Sequence, residues 1–125
     1  MKILLAEDNP INQRVASLMF NQLGFNCDVA SNGQEAFEMH KVNKYDLIFM
    51  DLQMPVLDGF EATRLIRTYE KSNGSEETAF IVALTGNDYS ENKILSSESG
   101  MNDFFEKPIR VEKLQTFLTA LNNKS

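Results

Sequence analysis

A single doubly wound α/β domain is the fold class this sequence predicts, and three patterns predict it. Short strand-like runs recur at Lys2–Ala6, Asn26–Ala30, Leu47–Met50, Ala79–Leu84 and Asp103–Glu106. Longer amphipathic stretches with helical spacing separate them. The central runs are apolar on successive residues rather than on alternate ones, the mark of strands covered on both faces. Strands alternating with helices in this way imply a parallel sheet between two helical layers. No internal repeat, low-complexity tract or linker interrupts the chain, so residues 1–125 are expected to form one domain.

The first strand, Lys2–Ala6, ends abruptly at Glu7-Asp8. Asn9-Pro10 then opens a helix, because proline suits a first turn where no backbone donor is needed. Ile11, Val15, Ala16, Met19 and Leu23 give that helix an apolar face, and Gly24 supplies a left-handed stop. After the second strand, Asn32 and Glu35 have the spacing of a capping box ahead of a short helix carrying Ala36 and Phe37. The third strand again ends on an acid, Asp51. A turn with Pro55 and Asp58-Gly59 leads into a helix whose expected inner face is Ala62, Leu65, Ile66 and Tyr69. Lys71–Thr78 is polar and reads as the longest loop. The fourth strand ends at Thr85-Gly86, and Ser90–Ser99 follows as a helix with only Ile94 and Leu95 as anchors. So few anchors predict a mobile helix. Asp103–Glu106 is a short edge-type strand, and a last helix presents Leu114, Phe117, Leu118 and Leu121.

Bulk properties narrow the partners. A chain of 125 residues buries roughly two-thirds of its unfolded surface, enough for a core without staples. The net charge of −6 repels nucleic acid and anionic membranes, which argues against either as a direct partner. One cysteine, Cys27, excludes an intrachain disulfide and a multi-cysteine metal site, and points to a reducing, cytoplasmic setting. Two acids arrive too early for a signal peptide, and no apolar run approaches the roughly 20 residues that span a bilayer.

In an open parallel sheet, ligands bind beyond the carboxyl ends of the strands. Those ends are chemically marked here: Glu7-Asp8, Asp51, Thr85, and Lys107-Pro108 after the fifth strand. If the first and third strands are neighbours, three carboxylates converge, and their repulsion calls for a cation. Oxygen ligands and few carboxylates suit Mg2+. Mg2+ beside one exposed carboxylate, with a lysine and a hydroxyl opposite, is a phosphoryl-transfer arrangement. Asp51 would be the nucleophile, and Lys107 and Thr85 would hold phosphoryl oxygens.

Glu7-Asp8, Met50-Asp51-Leu52-Gln53-Met54-Pro55, Ala83-Leu84-Thr85-Gly86 and Lys107-Pro108 together resemble the receiver domain of two-component signalling proteins, over essentially the whole chain. The resemblance implies a flavodoxin-like (βα)5 fold with strand order 2-1-3-4-5. It implies that Asp51 is the phosphoacceptor, and that Mg2+ is bound by Asp8, Asp51 and the backbone carbonyl of Gln53, with Glu7 acting through water. Thr85 and Lys107 would contact the phosphoryl group, Phe104 would be the aromatic switch, and the Lys107–Pro108 bond would be cis. The phosphodonor would be a histidine kinase or a histidine phosphotransfer domain. Such a domain is a signalling module that assists its own Mg2+-dependent phosphorylation and dephosphorylation, not an enzyme with an independent substrate. It would be a monomer or a phosphorylation-dependent dimer.

Glu7-Asp8-Asn9-Pro10-Ile11-Asn12-Gln13 and Gly100-Met101-Asn102-Asp103 look most like receivers attached to hybrid histidine kinases. That would place the domain in the cytoplasm, free or as the cytoplasmic part of a membrane-anchored kinase. The sequence ends at Ser125 without a linker or DNA-binding domain, as a stand-alone receiver or an excised domain would. Two positions depart from the common pattern: Glu7 where aspartate is frequent, and Phe104 where tyrosine is frequent.

Plainer readings stand beside these. Any one strand-end acid could be a solvated loop residue, Thr85 a helix cap, Lys107 a surface lysine. Phe104 and Phe105 alternate on a strand, so one of them is expected in the core. His40 lies among polar residues without a suitably spaced partner and reads as a surface histidine; Cys27 reads as packing. A dehalogenase-type phosphatase would need an aspartate at position 53, which is Gln53, and a cap domain. An FMN carrier would need a hydroxyl-rich phosphate loop where Glu7-Asp8-Asn9-Pro10 stands. A degenerate receiver acting as a scaffold would not need Asp51 and Lys107.

Overall fold

The computed structural model describes residues 1–86 and 89–123, and of residues 89–92 and 123 the backbone alone. Its elements alternate throughout: β1 (Ile3–Ala6), α1 (Pro10–Gln22), β2 (Cys27–Ala30), α2 (Gly33–Asn43), β3 (Leu47–Asp51), α3 (Gly59–Ser72), β4 (Phe80–Thr85), α4 (Tyr89–Ser99), β5 (Asp103–Glu106) and α5 (Val111–Asn123). The five strands are parallel, in the order β2-β1-β3-β4-β5. This is the flavodoxin-like arrangement, in which order reverses between β1 and β3. Ala6 stands beside both Ala30 and Met50, and Asp51 beside Leu84, so the strands finish at one edge.

Period-two alternation sends each central strand into two cores. Leu4, Ile48, Met50, Ile81 and Ala83 meet α2 and α3 through Ala36, Ala62 and Ile66. Ile3, Leu5, Leu47, Phe49, Val82 and Leu84 meet α1 and α5 through Ala16, Phe20, Leu114 and Leu118. Phe49 centres the second core, with its ring centroid 5.4 Å from Phe20 and 5.9 Å from Phe117.

The helix ends follow local chemistry. Asn9 caps α1, its Oδ1 accepting from the backbone N–H groups of Ile11 and Asn12 at 2.9 and 3.1 Å. Asn32 caps α2 by accepting from Glu35, but Glu35 Oε1 reaches back to the N–H of Ser31 at 3.1 Å, one residue before the cap. Asp58 caps α3. The expected loop starts late, because α3 continues to Ser72.

Several side chains lie elsewhere than the periodicity suggests. In α1, Ile11 is 73% exposed and Val15 45%, while Ala16 and Phe20 are buried. Leu18 adds a third exposed apolar position. Leu65 of α3 is also exposed; the buried positions there are Ala62, Thr63, Ile66 and Glu70. Ile94 and Leu95 do not anchor α4, since both are exposed while Ser96 and Ser99 are buried.

His40 is a correction of another kind. It is buried, not a surface residue, and both ring nitrogens are engaged. Nδ1 accepts from the backbone N–H of Tyr45 at 3.1 Å, and Nε2 lies 3.2 Å from Glu70 Oε2. Glu70 also accepts from Arg67 and from the backbone N–H of Ala79, both at 2.8 Å. A buried carboxylate and a buried imidazole thus satisfy each other across the contact between α2 and α3. The partner is 30 residues away in sequence, so local spacing could not reveal it.

Among the described residues, no helix is long and apolar enough to cross a membrane.

Candidate metal centre

Three acids gather where strand order reverses. The N–H of Glu7 bonds the carbonyl of Ala30 at 3.0 Å, which carries the β1 ladder one residue further and fixes the Glu7 backbone. Glu7 is 3% exposed, Asp8 is exposed, and Asp51, the last residue of β3, is 4% exposed. One carboxylate oxygen from each lies within 4.8 Å of the others. Asp51 is therefore buried, like Glu7, rather than the exposed carboxylate its strand-end position suggested, and Asp8 is the exposed member.

Lys107 reaches this group from beyond β5. Its N–H donates to the carbonyl of Thr85 at 2.7 Å, and the Lys107–Pro108 bond is cis. Its Nζ lies 2.6 Å from Asp51 Oδ2 and 3.8 Å from Glu7 Oε2. Asp51 Oδ1 accepts from the backbone N–H of Gln53 at 3.1 Å. Glu7 Oε1 accepts from Asn12 Nδ2 at 2.7 Å. Among the described residues, two buried atoms in the region have no hydrogen-bond partner: Glu7 Oε2 and Thr85 Oγ1.

The loop after Asp51 is held tightly. Gly59 opens α3 against the strand end, and a Cβ there would overlap the carbonyl oxygen of Asp51. Between them, Leu57 N–H bonds the carbonyl of Pro55 at 2.7 Å, and Val56 in the middle has φ +69°. A β-branched residue in that region is strained, and strain of this kind concentrates near functional sites. Val56 is 78% exposed, so no packing of its side chain explains the conformation.

Electrostatics leave the cluster unbalanced. Burial, reinforced by the Asp51 carboxylate beside it, pushes Glu7 up to about 7, against the opposing pull of Asn12 and Lys107. One lysine cannot neutralise three acids. An oxygen-only donor set, with one buried carboxylate oxygen that accepts no hydrogen bond, fits a hard divalent cation such as Mg2+.

The remaining sequence-derived residues divide. Thr85 is the last residue of β4 and is buried. Gln53 is exposed, two residues after the Asp51 strand end. Of the aromatic pair on β5, Phe105 is core and Phe104 is 43% exposed. Sequence reading overlooked Asn12, although the Glu7–Gln13 run that contains it stood out. It also overlooked the exposed stripe of Ile11, Val15 and Leu18 on α1. Val15 lines a cavity of about 360 Å3 that also touches Glu7, Asn12, Lys107 and Pro108.

The sequence profile of the response regulator receiver domain matches residues 3–119. The chain belongs to the response regulator receiver domain family. As a receiver domain it is a signalling module of two-component systems. It is similar to hybrid signal transduction histidine kinase F of Dictyostelium discoideum, 41% identical over 126 residues that span 98% of this chain and 11% of that protein. Among solved structures, the receiver domain of the Saccharomyces cerevisiae response regulator Ssk1, crystallised with the histidine phosphotransfer protein Ypd1, is 38% identical with a TM-score of 0.89. That match covers 95% of this chain and 86% of the other. The receiver domain of a Pseudomonas aeruginosa sensor histidine kinase, with a magnesium ion coordinated in its active-site cleft, is 39% identical with a TM-score of 0.82, covering 95% and 94%. This receiver domain spans about a tenth of the length of the curated hybrid kinases it matches.

Proposed function

We propose that this receiver accepts a phosphoryl group on Asp51 from a phosphohistidine and, in doing so, changes its affinity for partners. The observation that carries the reading is the Asp51 carboxylate itself: buried, ion-paired to Lys107, and set against Glu7 and Asp8. Mg2+ would be held by Asp8, Asp51 and the backbone carbonyl of Gln53, with Glu7 acting through water. When bound, it supplies positive charge that offsets both the acids and the incoming phosphoryl oxygens.

The residues of the chain do the rest. An oxygen of Asp51 attacks phosphorus, a P–O bond forms, and the P–N bond to the donor imidazole breaks. The leaving nitrogen keeps the electron pair, which gives a mixed anhydride on Asp51 and a free histidine on the donor. Lys107 moves from Asp51 Oδ2 to a phosphoryl oxygen, staying within the reach that its backbone bond to Thr85 fixes. The unpartnered hydroxyl of Thr85 donates to another phosphoryl oxygen. The acyl phosphate carries about −1.5 to −2 charges where the Asp51 carboxylate carried one, and this added charge beside the site draws the Thr85 hydroxyl toward the phosphoryl oxygens and lets Phe104 repack. In this reading the domain assists its own phosphorylation and dephosphorylation and turns over no other substrate.

The partner is a histidine kinase or a histidine phosphotransfer domain. Ile11, Val15 and Leu18 support this, as an exposed apolar stripe beside the site onto which a donor helix can dock. The negative net charge speaks against direct binding to nucleic acid or an anionic membrane. The cytoplasm is the proposed setting, because it supplies both ATP-fed kinases and Mg2+.

Intact mass after incubation with Mg2+ and acetyl phosphate tests the assignment. A gain of about 80 Da is expected, reversed by hydroxylamine and absent in Asp51→Asn. No gain from acetyl phosphate or from a phosphorylated histidine donor would overturn it, as would a gain that persists in Asp51→Asn.

A further inference from the structure

The first turn of α1 grips Glu7 at both ends. Gln13 Nε2 donates to the Glu7 carbonyl oxygen, and Asn12 Nδ2 donates to Glu7 Oε1 at 2.7 Å. Asn12 is placed for this by the Asn9 cap and by Pro10 at the helix start. The other carboxylate oxygen, Oε2, is buried without a hydrogen-bond partner beside Asp8 and Asp51, with Lys107 Nζ 3.8 Å away and shared with Asp51.

Glutamate carries one more rotatable bond than aspartate, so its carboxylate has more freedom to lose on meeting a cation. A partner that fixes it beforehand removes part of that loss. The partner here is a neutral amide, which orients the carboxylate without cancelling its charge as a lysine or arginine would. We infer that Asn12 is a positioning residue of the metal centre, holding Oε1 of Glu7 so that Oε2 is presented to the water shell of the cation. It acts on the cluster only through Glu7. The inference rests on the Mg2+ reading above and goes one residue beyond it.

The test is calorimetric titration of Mg2+ into the folded protein with Asn12→Ala and with the isosteric Asn12→Leu. Each is made both in the Glu7 chain and in Glu7→Asp, whose shorter side chain withdraws the carboxylate from Asn12. Removing a group that orients a metal ligand typically weakens affinity 10- to 100-fold. Both variants are expected to lose about tenfold in the Glu7 chain and less than about twofold in the Glu7→Asp chain. Equal losses in the two backgrounds, or unchanged affinity in the Glu7 chain, overturn the inference. Alanine and leucine both favour helix over asparagine, so α1 is not weakened by either change. If Asn12 merely braces α1, the metal-free melting midpoint falls while Mg2+ affinity holds, which also overturns it. A wild-type chain that takes up no Mg2+ overturns the metal reading itself, and this inference with it.

Discussion

Glu7 makes the metal-free domain lose stability as pH rises. Burial beside Asp51 lifts its carboxyl from the ordinary 4.5 to about 7, so the folded chain holds the proton more tightly than the unfolded chain does. The stability this confers is complete below pH 4.5 and is lost as pH climbs through about 7. At about 1.4 kcal/mol for each tenfold change in proton affinity, the loss is about 3 kcal/mol by pH 8. Spread over the unfolding entropy of a chain this long, that is about 10 °C in melting temperature. The measurement is thermal unfolding followed by circular dichroism in EDTA from pH 4.5 to 8.5, for the wild type and for Glu7→Gln. The variant has no carboxyl to ionise and is expected to lie about 10 °C above the wild type at pH 8, with the gap closing toward pH 5. Saturating Mg2+ is expected to flatten the wild-type slope, since a cation favours the ionised form. Parallel pH profiles for the two proteins in EDTA would refute the reasoning.

Two further substitutions follow from the backbone and the buried network. Val56→Gly relieves a β-branched residue held at φ +69° and is expected to stabilise the domain by about 1 kcal/mol, read from the urea midpoint; an unchanged or lower midpoint counts against the strain. His40→Ala strips partners from the Tyr45 N–H and the Glu70 carboxylate, and is expected to cost about 3 kcal/mol in the same assay, whereas a loss below about 0.5 kcal/mol would return His40 to the surface reading.

The sheet was legible because its three central strands are so apolar that burial on both faces accounts for them. Ile3–Ala6 and Leu47–Asp51 are buried at every position, and the sequence offers no other reading of such runs. The site was legible for a related reason. Asp51 and Thr85 close their strands and Glu7, Asp8 and Lys107 follow theirs, and a parallel sheet brings those ends to one edge. Helix faces were harder. α1 carries two apolar stripes, Ile11-Val15-Leu18 and Ala16-Phe20, and periodicity alone does not say which one meets the sheet. The stripe left outside is exposed and borders the candidate site. His40 was misread because its partner comes from a different helix. The burial of Asp51 depends on how closely Gly59 and Lys107 approach it, which single-residue patterns do not encode.

The two cores share a sheet but almost no side chains. Leu4, Ile48 and Ile81 belong to one side and Leu5, Phe49 and Val82 to the other, so the strands act as a partition between two separately packed compartments. Substitutions on opposite sides have no cluster residue in common, so their effects on stability are expected to be largely additive. Descendants of this chain can therefore rework the α1–α5 compartment, which carries the apolar stripe beside the site, without disturbing the α2–α3 compartment behind it.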